Sequence, residues 1–205
     1  MKMQKFTFLR KIDSKPLPFD LEQKIKADKN LVVNVFKTEK QLLEAFIARM
    51  HMVDPDVLLS HYLCGSIFEI IMARISFLNI PHWSRIGRLK KKQFPTRKID
   101  QGGYSGSSWV PRMVSCGRLL VDTFVSSKEL VRETSYDLSY LAQRQLKTTR
   151  SDFDEDMLPQ FYLNSTRLLN LVSHTETDTF LTFTLMLHLN ILAPTKQIPP
   201  IDRNL

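Results

Sequence analysis

Two sets of side chains in this 205-residue sequence could carry chemistry, one acidic and one basic. Asp56, Glu69, Asp122 and Asp178 fall near strand ends or on helices. Carboxylates on neighbouring elements can hold a pair of metal ions for phosphodiester hydrolysis. A lone carboxylate cannot, and spacing alone does not bring these four together. The basic set is Arg85, Arg88, Lys90, Lys91, Lys92, Arg97 and Lys98, with no acid among them. It holds nearly all of the chain's net charge of +8. A basic cluster in an otherwise balanced chain points to polyanion contact, nucleic acid before membrane, against the plainer reading of a solvated loop. Arg85, Arg88, Lys90, Lys91 and Lys92 are the candidate nucleic-acid contacts.

Other chemistries find little support. Cys64 and Cys116 are too few and too widely spaced for a disulfide scaffold or a zinc site, and read as reduced, packed core residues. His51, His61, His82, His174 and His188 lack the H-E-x-x-H and C-x-x-C partnering of zinc sites, so each reads as a hydrogen-bonded structural residue. There is no Walker-type phosphate loop, and Cys64-Gly65-Ser66 lacks the spacing of a nucleophile elbow. The N-terminal stretch MKMQKFTFLRKID has no apolar signal-peptide core. The apolar run Phe180 to Ala193 is interrupted by Thr182, Thr184, His188 and Asn190 and is too short for a membrane span. These features suit an intracellular protein, soluble or held in a complex.

The elements that must position the candidates alternate. Lys5 to Leu9 reads as a short strand and Leu21 with Ile25 as a short helix. LVVNVF at 31–36 is a β-branched strand. Thr38 with Gln41 has capping-box spacing and opens a helix whose stripe is Leu42, Leu43, Phe46, Ile47 and Met50. Strand 57–60 follows, then a tight turn at Cys64-Gly65-Ser66. Ser66 with Glu69 then caps a helix over 66–78, with Ile67, Ile70, Ile71 and Ile75 as its stripe. Such alternation predicts an α/β fold with a mostly parallel sheet. From 81 to 111 glycines, prolines and cations replace periodicity, which predicts a loop long enough to be functional or disordered. Trp83 and Trp109 bracket it; aromatics among cations suit nucleic-acid bases, and indoles also anchor loop ends on a core. Cys116 to Thr123 reads as a strand ending in an acid. Ser126 with Glu129 starts a short helix, and another carries Leu138, Leu141 and Leu146. Asp152, Asp154, Glu155 and Asp156 read as a solvated turn. Helices over about 160–172 and 176–192 close the chain.

Five stretches, DPDVLLSHYLCGSIFEIIMARI, IPHWSRIGRLKKK, CGRLLVD, KELVRETSYDLSYL and LLNLVSHTETDTFLTFTLMLHLNIL, occur in an order that resembles the exonuclease-like domain of family B DNA polymerases. HWSRIGRLK and CGRLL are the specific pieces. The resemblance runs from about residue 18 to 192, with a weaker echo to 205. It implies a partial ribonuclease-H-like, 3′-5′ exonuclease-like domain over 1–192, a mixed sheet flanked by helices and lacking its first strands. Residues 193–205 would be a tail or truncated linker towards an absent palm.

In proofreading members of the family, this domain removes mismatched 3′ nucleotides with two metal ions. By position, Tyr62 replaces the Asn of the second motif, Ser66 its aromatic and Ile67 its metal-binding Asp. The third motif falls on His174 to Asp178, keeping the acid and losing the tyrosine, and the first would lie before residue 1. One carboxylate of four remains, so the resemblance implies a domain without catalytic or metal residues. Ile67 then reads as an apolar residue of the first helical turn, and Asp178 as a vestigial or helix-surface acid. Paired aspartates of the polymerase type, such as Asp-Thr-Asp, do not occur.

The family reading implies a parent nucleotidyltransferase that uses Mg2+ and acts in the nucleus, in replication initiation and lagging-strand priming. DNA, an RNA–DNA primer duplex, primase and an accessory subunit are the implied partners. The alternative is a stand-alone nucleic-acid-binding or interaction module. An incomplete sheet would also leave an unpaired edge and lower solubility.

Overall fold

The computed structural model describes residues 4–12, 16–27, 32–95 and 109–193. Strand β1 (Thr7–Arg10) pairs in parallel with β2 (Val33–Phe36), Thr7 opposite Val33. Helix α1 (Leu21–Ala27) lies on the connection, as a parallel pair requires a crossover. Strand β3 (Val57–Ser60) pairs in parallel with β4 (Leu119–Asp122), and Ser60 stands opposite Asp122. The α/β expectation is met. Among the described residues, however, no ladder joins the two pairs, so two parallel ribbons stand where one mixed sheet was expected. Each strand is only four residues long, and the ribbons pack against helices instead of against each other.

Helix α2 (Glu39–Val53) begins as its sequence indicates: the Thr38 hydroxyl accepts the Gln41 N–H at 3.3 Å. It ends at Asp54, which turns left-handed (φ 45°) and donates its N–H to Met50. The next helix departs from expectation. No capping box forms at Ser66. A π-helical turn over Leu63–Ile67 follows β3 and runs straight into α3 (Phe68–Phe77), with the Ser66 and Ile67 N–H groups both donating to the Tyr62 carbonyl. Widening the turn by a residue shifts the phase of the helix. Phe68, Met72 and Ile75 are buried, while Ile67 and Ile70 are 36% and 61% exposed. Leu43 and Ile47 of α2 meet this face, with Trp83 and Ile86 completing the cluster.

The stretch expected to be irregular contains a 3-10 turn (Trp83–Ile86) and helix α4 (Trp109–Val114). Gly87 lets the backbones approach: a Cβ there would sit 2.3 Å from the Val114 carbonyl oxygen. Residues 96–108, with Arg97, Lys98 and three of the glycines, lie outside the described residues, as do the Trp109 side chain and residues 194–205 of the expected tail. Cys116 and Gly117 form a turn before β4, with Gly117 at φ 88°. Neither cysteine is a core residue; both are unpaired and half-buried.

Helix α5 (Thr123–Leu130) starts directly after β4, capped by Asp122 rather than Ser126. Helix α6 (Leu138–Gln145) buries Leu141 and Ala142 completely, and α7 (Leu158–Phe161) is a single turn. The two closing helices are one: α8 (Ser165–His188) runs for 24 residues, about 36 Å at 1.5 Å per residue. Threonines along it bond back to their own helix, Thr175 to the Val172 carbonyl, Thr177 to Ser173 and Thr182 to Asp178, each at 2.8 Å. Leu168 packs under β1 and α1, and Met186 under the β3–β4 ribbon, so α8 underlies both. Among the described residues, no helix is long and apolar enough to cross a membrane.

The rotated face of α3 sets an expected contrast. Met72→Ala should lower urea stability by about 2–5 kcal/mol, and Ile70→Ala by no more than about 0.5 kcal/mol.

Candidate functional site

The strand–helix junction is organised by a buried acid. Asp122, 7% exposed, ends β4 beside the end of β3. Its Oδ1 accepts the N–H of Tyr62 at 3.1 Å and of Phe124 at 3.0 Å, and its Oδ2 accepts that of Cys64 at 2.9 Å. One carboxylate thereby fixes the left-handed Tyr62 (φ 60°), opens the π-helical turn and caps α5. Charge-assisted bonds of this kind are the strong ones.

Around it, His61 Nδ1 lies 2.8 Å from the Thr123 hydroxyl, and burial pushes its imidazole below the ordinary value despite the nearby Asp122 charge. Burial, with Asp122 adding to it, pushes the Cys64 thiol up, which keeps it protonated and a poor nucleophile. The Tyr62 ring stacks on Phe124 at 4.1 Å, and its hydroxyl donates to Asp137. Hydrogen bonds from Ser135 and then Tyr62 hold the Asp137 carboxyl below its usual range.

Asp178 sits on α8 in a second closed arrangement. Arg150 Nε and Nη2 donate to its two oxygens at 2.6 and 2.8 Å. Arg150 Nη1 donates to the Ser139 hydroxyl at 2.8 Å and to Asp152, and Nη2 to His174 Nε2 at 3.4 Å. A guanidinium has five N–H groups and only donates. All five therefore have partners within reach. Of the two expectations for Asp178, the helix-surface acid gives way here, because its side chain is three-quarters buried and bidentately paired.

The two-metal constellation has no counterpart in this geometry. Ser66, Ile67 and Glu69 are exposed on the outer side of the helix, Asp56 bonds Arg88, and Asp122 and Asp178 are engaged as described. Among the described residues, no three His, Cys, Asp or Glu side chains converge on a point that could hold a metal ion. The residues do not fit the metal pair of a proofreading relative.

The basic segment divides into two kinds of cation. Arg88 is structural: it bonds Asp54 at 3.0 Å, Asp56 at 2.6 Å, and the carbonyls of Asp54 and Gly117. Arg118, with 1% of its side chain exposed, meets Asp54 at 2.9 Å and the Ile86 carbonyl at 2.8 Å. Together they hold the Asp54 carboxyl below its usual range, Arg88 contributing most. Lys91 is committed too, donating to the Met113 carbonyl at 2.5 Å with Cys116 Sγ at 3.4 Å. Among the described residues, the side chains of Arg85, Lys90 and Lys92 have no hydrogen-bond or ion-pair partner; Lys90 and Lys92 are exposed and Arg85 is half-buried, so three of the five candidates can face a ligand. Trp83 is an anchor, 9% exposed and edge-on to Phe94 at 5.0 Å. Sequence reasoning overlooked Arg118, which also reaches the Pro55 carbonyl 63 residues away, and Arg150, whose partner Asp178 lies 28 residues away.

The model of the DNA polymerase family B exonuclease domain matches residues 3–141, and the chain belongs to that family. It is similar to DNA polymerase alpha catalytic subunits: 55% identical over 98% of this chain to that of Oxytricha trifallax, and 52% over 98% to that of Sterkiella nova. To the mouse (Mus musculus) subunit it is 35% identical over 92%. The chain spans 14% of the length of the first two relatives and 12% of the mouse protein.

Asp122→Ala should cost about 3 kcal/mol or more in urea unfolding, since three N–H groups lose their acceptor; Asp122→Asn, which keeps one oxygen, should cost less. A second expectation concerns pH. The folded His61 imidazole binds its proton less readily than the unfolded one, so its contribution is whole above about pH 6.5 and is lost as pH falls below that. His61→Asn should flatten the decline of the unfolding midpoint between about pH 7.5 and 5.5.

Proposed function

We propose that this chain is a non-catalytic, exonuclease-like segment of a DNA polymerase alpha catalytic subunit, a partial ribonuclease-H-like domain over residues 1–192 that contacts nucleic acid through its basic segment. The parent protein would be a Mg2+-dependent nucleotidyltransferase acting in nuclear replication initiation and lagging-strand priming, alongside primase and an accessory subunit. DNA and the RNA–DNA primer duplex are the corresponding ligands. Tyr62, Ile67, His174 and Asp178 occupy the lapsed exonuclease positions.

The observation that supports this reading best is the engagement of the acids. Asp122 is consumed by three backbone N–H groups and Asp178 by Arg150, while Arg85, Lys90 and Lys92 remain outward. Recruiting Asp178 to a metal would strip the mostly buried Arg150 guanidinium of two charged acceptors and leave it Asp152, Ser139 and His174 alone, at a cost in stability. A basic face without a hydrolytic centre suits holding a nucleic-acid backbone rather than cutting it.

The test is fluorescence anisotropy with a labelled duplex across a salt series, paired with a nuclease assay in Mg2+ and Mn2+. Each lost phosphate contact lowers the slope of log K against log salt by about 0.9. The triple variant Arg85→Gln, Lys90→Gln, Lys92→Gln should lower it by about 2–3 and weaken binding. No metal-dependent degradation should appear. Degradation abolished by Asp178→Ala, or binding indifferent to salt, would contradict the reading.

A further inference from the structure

Beside the basic segment lies an open groove of about 430 Å3, between the end of α3 and the residues that follow the 3-10 turn. Ser76, Asn79, His82, Ser84, Lys92 and Phe94 are among the residues that line it. We propose that this groove seats one unpaired nucleotide of a single-stranded nucleic acid, with its phosphate on Lys92 and its base against Phe94 and the Asn79 amide. The inference rests on the nucleic-acid reading above and gives it a second, separate point of contact.

Three observations carry it. The first is electrostatic: the described lining contains two lysines and no carboxylate, so the groove favours an anion. Lys91 is tied to Met113, which leaves Lys92 as the ammonium free to meet a phosphate. The second is chemical. The side chains of Ser76, Asn79, His82 and Ser84 have no hydrogen-bond partner among the described residues, so hydroxyl, amide and imidazole groups stand ready in one place. An amide offers a donor and an acceptor together, which suits a base edge. Phe94, half-buried and braced edge-on by Trp83, supplies an aromatic wall of the kind on which bases stack.

The third observation is size. The volume lies in the lower part of the roughly 300–1,000 Å3 range of small-ligand sites, room for a nucleotide and not for a helix or a duplex. A base held in a duplex cannot enter, so the groove distinguishes unpaired from paired strands.

The experiment compares a labelled oligo-dT single strand with a blunt duplex of equal length, by anisotropy, on the 205-residue chain. Asn79→Asp places a charge in the groove and keeps a residue that tolerates the left-handed backbone; Phe94→Leu removes the aromatic wall. Each should weaken single-strand binding by about 5-fold or more and leave duplex binding within about 2-fold, with an unchanged thermal midpoint. A polyglutamate competitor should displace the single strand no better than salt of equal ionic strength. If both variants bind the single strand as the parent chain does while an Arg85→Gln, Lys90→Gln variant, which spares Lys92, does not, the groove is overturned and the backbone contact stands. Equal displacement by polyglutamate and single strand would make the groove a general anion site and overturn the nucleotide. Failure of the parent chain to bind either oligonucleotide would overturn both readings.

Discussion

The Asp122 carboxylate, accepting three backbone N–H groups, is the interaction on which the rest of the structure depends. Three parts of the chain meet there. The residue that leaves β3, Tyr62, is held in a left-handed conformation that a tyrosine does not adopt freely. The π-helical turn that follows takes its opening N–H contact from the same carboxylate, and α5 takes its cap. A backbone N–H buried without an acceptor costs about 1–3 kcal/mol, so three of them make the acid a structural requirement. The placement of α3, and with it the core face of Phe68, Met72 and Ile75, follows from where that turn begins.

The same principle governs Asp178. A buried acid needs a counter-charge, and in a metal-dependent nuclease the ions provide it. In this chain Arg150 supplies it from 28 residues away, and every donor of the guanidinium is used between Asp178, Asp152, Ser139 and His174. The Asp178 charge is thereby balanced by the chain itself. In the proposed reading, what is left for a ligand is the opposite sign, on Arg85, Lys90 and Lys92, and the groove beside them.

Much of this was legible in the sequence. Strand β3 falls on the residues its apolar run indicates, and α2 starts at Thr38 because a hydroxyl three residues before a helical N–H is a local device. Class of fold and family were legible too, from the order of several distinctive stretches. The misreadings are long-range or geometrical. A π-helical turn has no sequence mark, so the stripe of α3 was phased on Ile67 and Ile70, which face outward. The break expected between 172 and 176 is absent from α8, where Thr175 and Thr177 satisfy their hydroxyls on their own helix. Among the basic residues composition could not separate Arg88 and Lys91, neutralised or bonded by distant partners, from Arg85, Lys90 and Lys92. A capping box at Ser126 was plausible locally, but the strand-end acid reached the helix first.

The central claim is that the acids of this domain serve the fold and hold no metal. It is tested most directly by thermal unfolding in a Mn2+ series up to about 10 mM, because a ligand bound to the folded state raises the midpoint by mass action. The account predicts a midpoint that does not move with Mn2+, for the chain and for Asp178→Asn alike. A midpoint that climbs with Mn2+ and loses that climb in Asp178→Asn would contradict it.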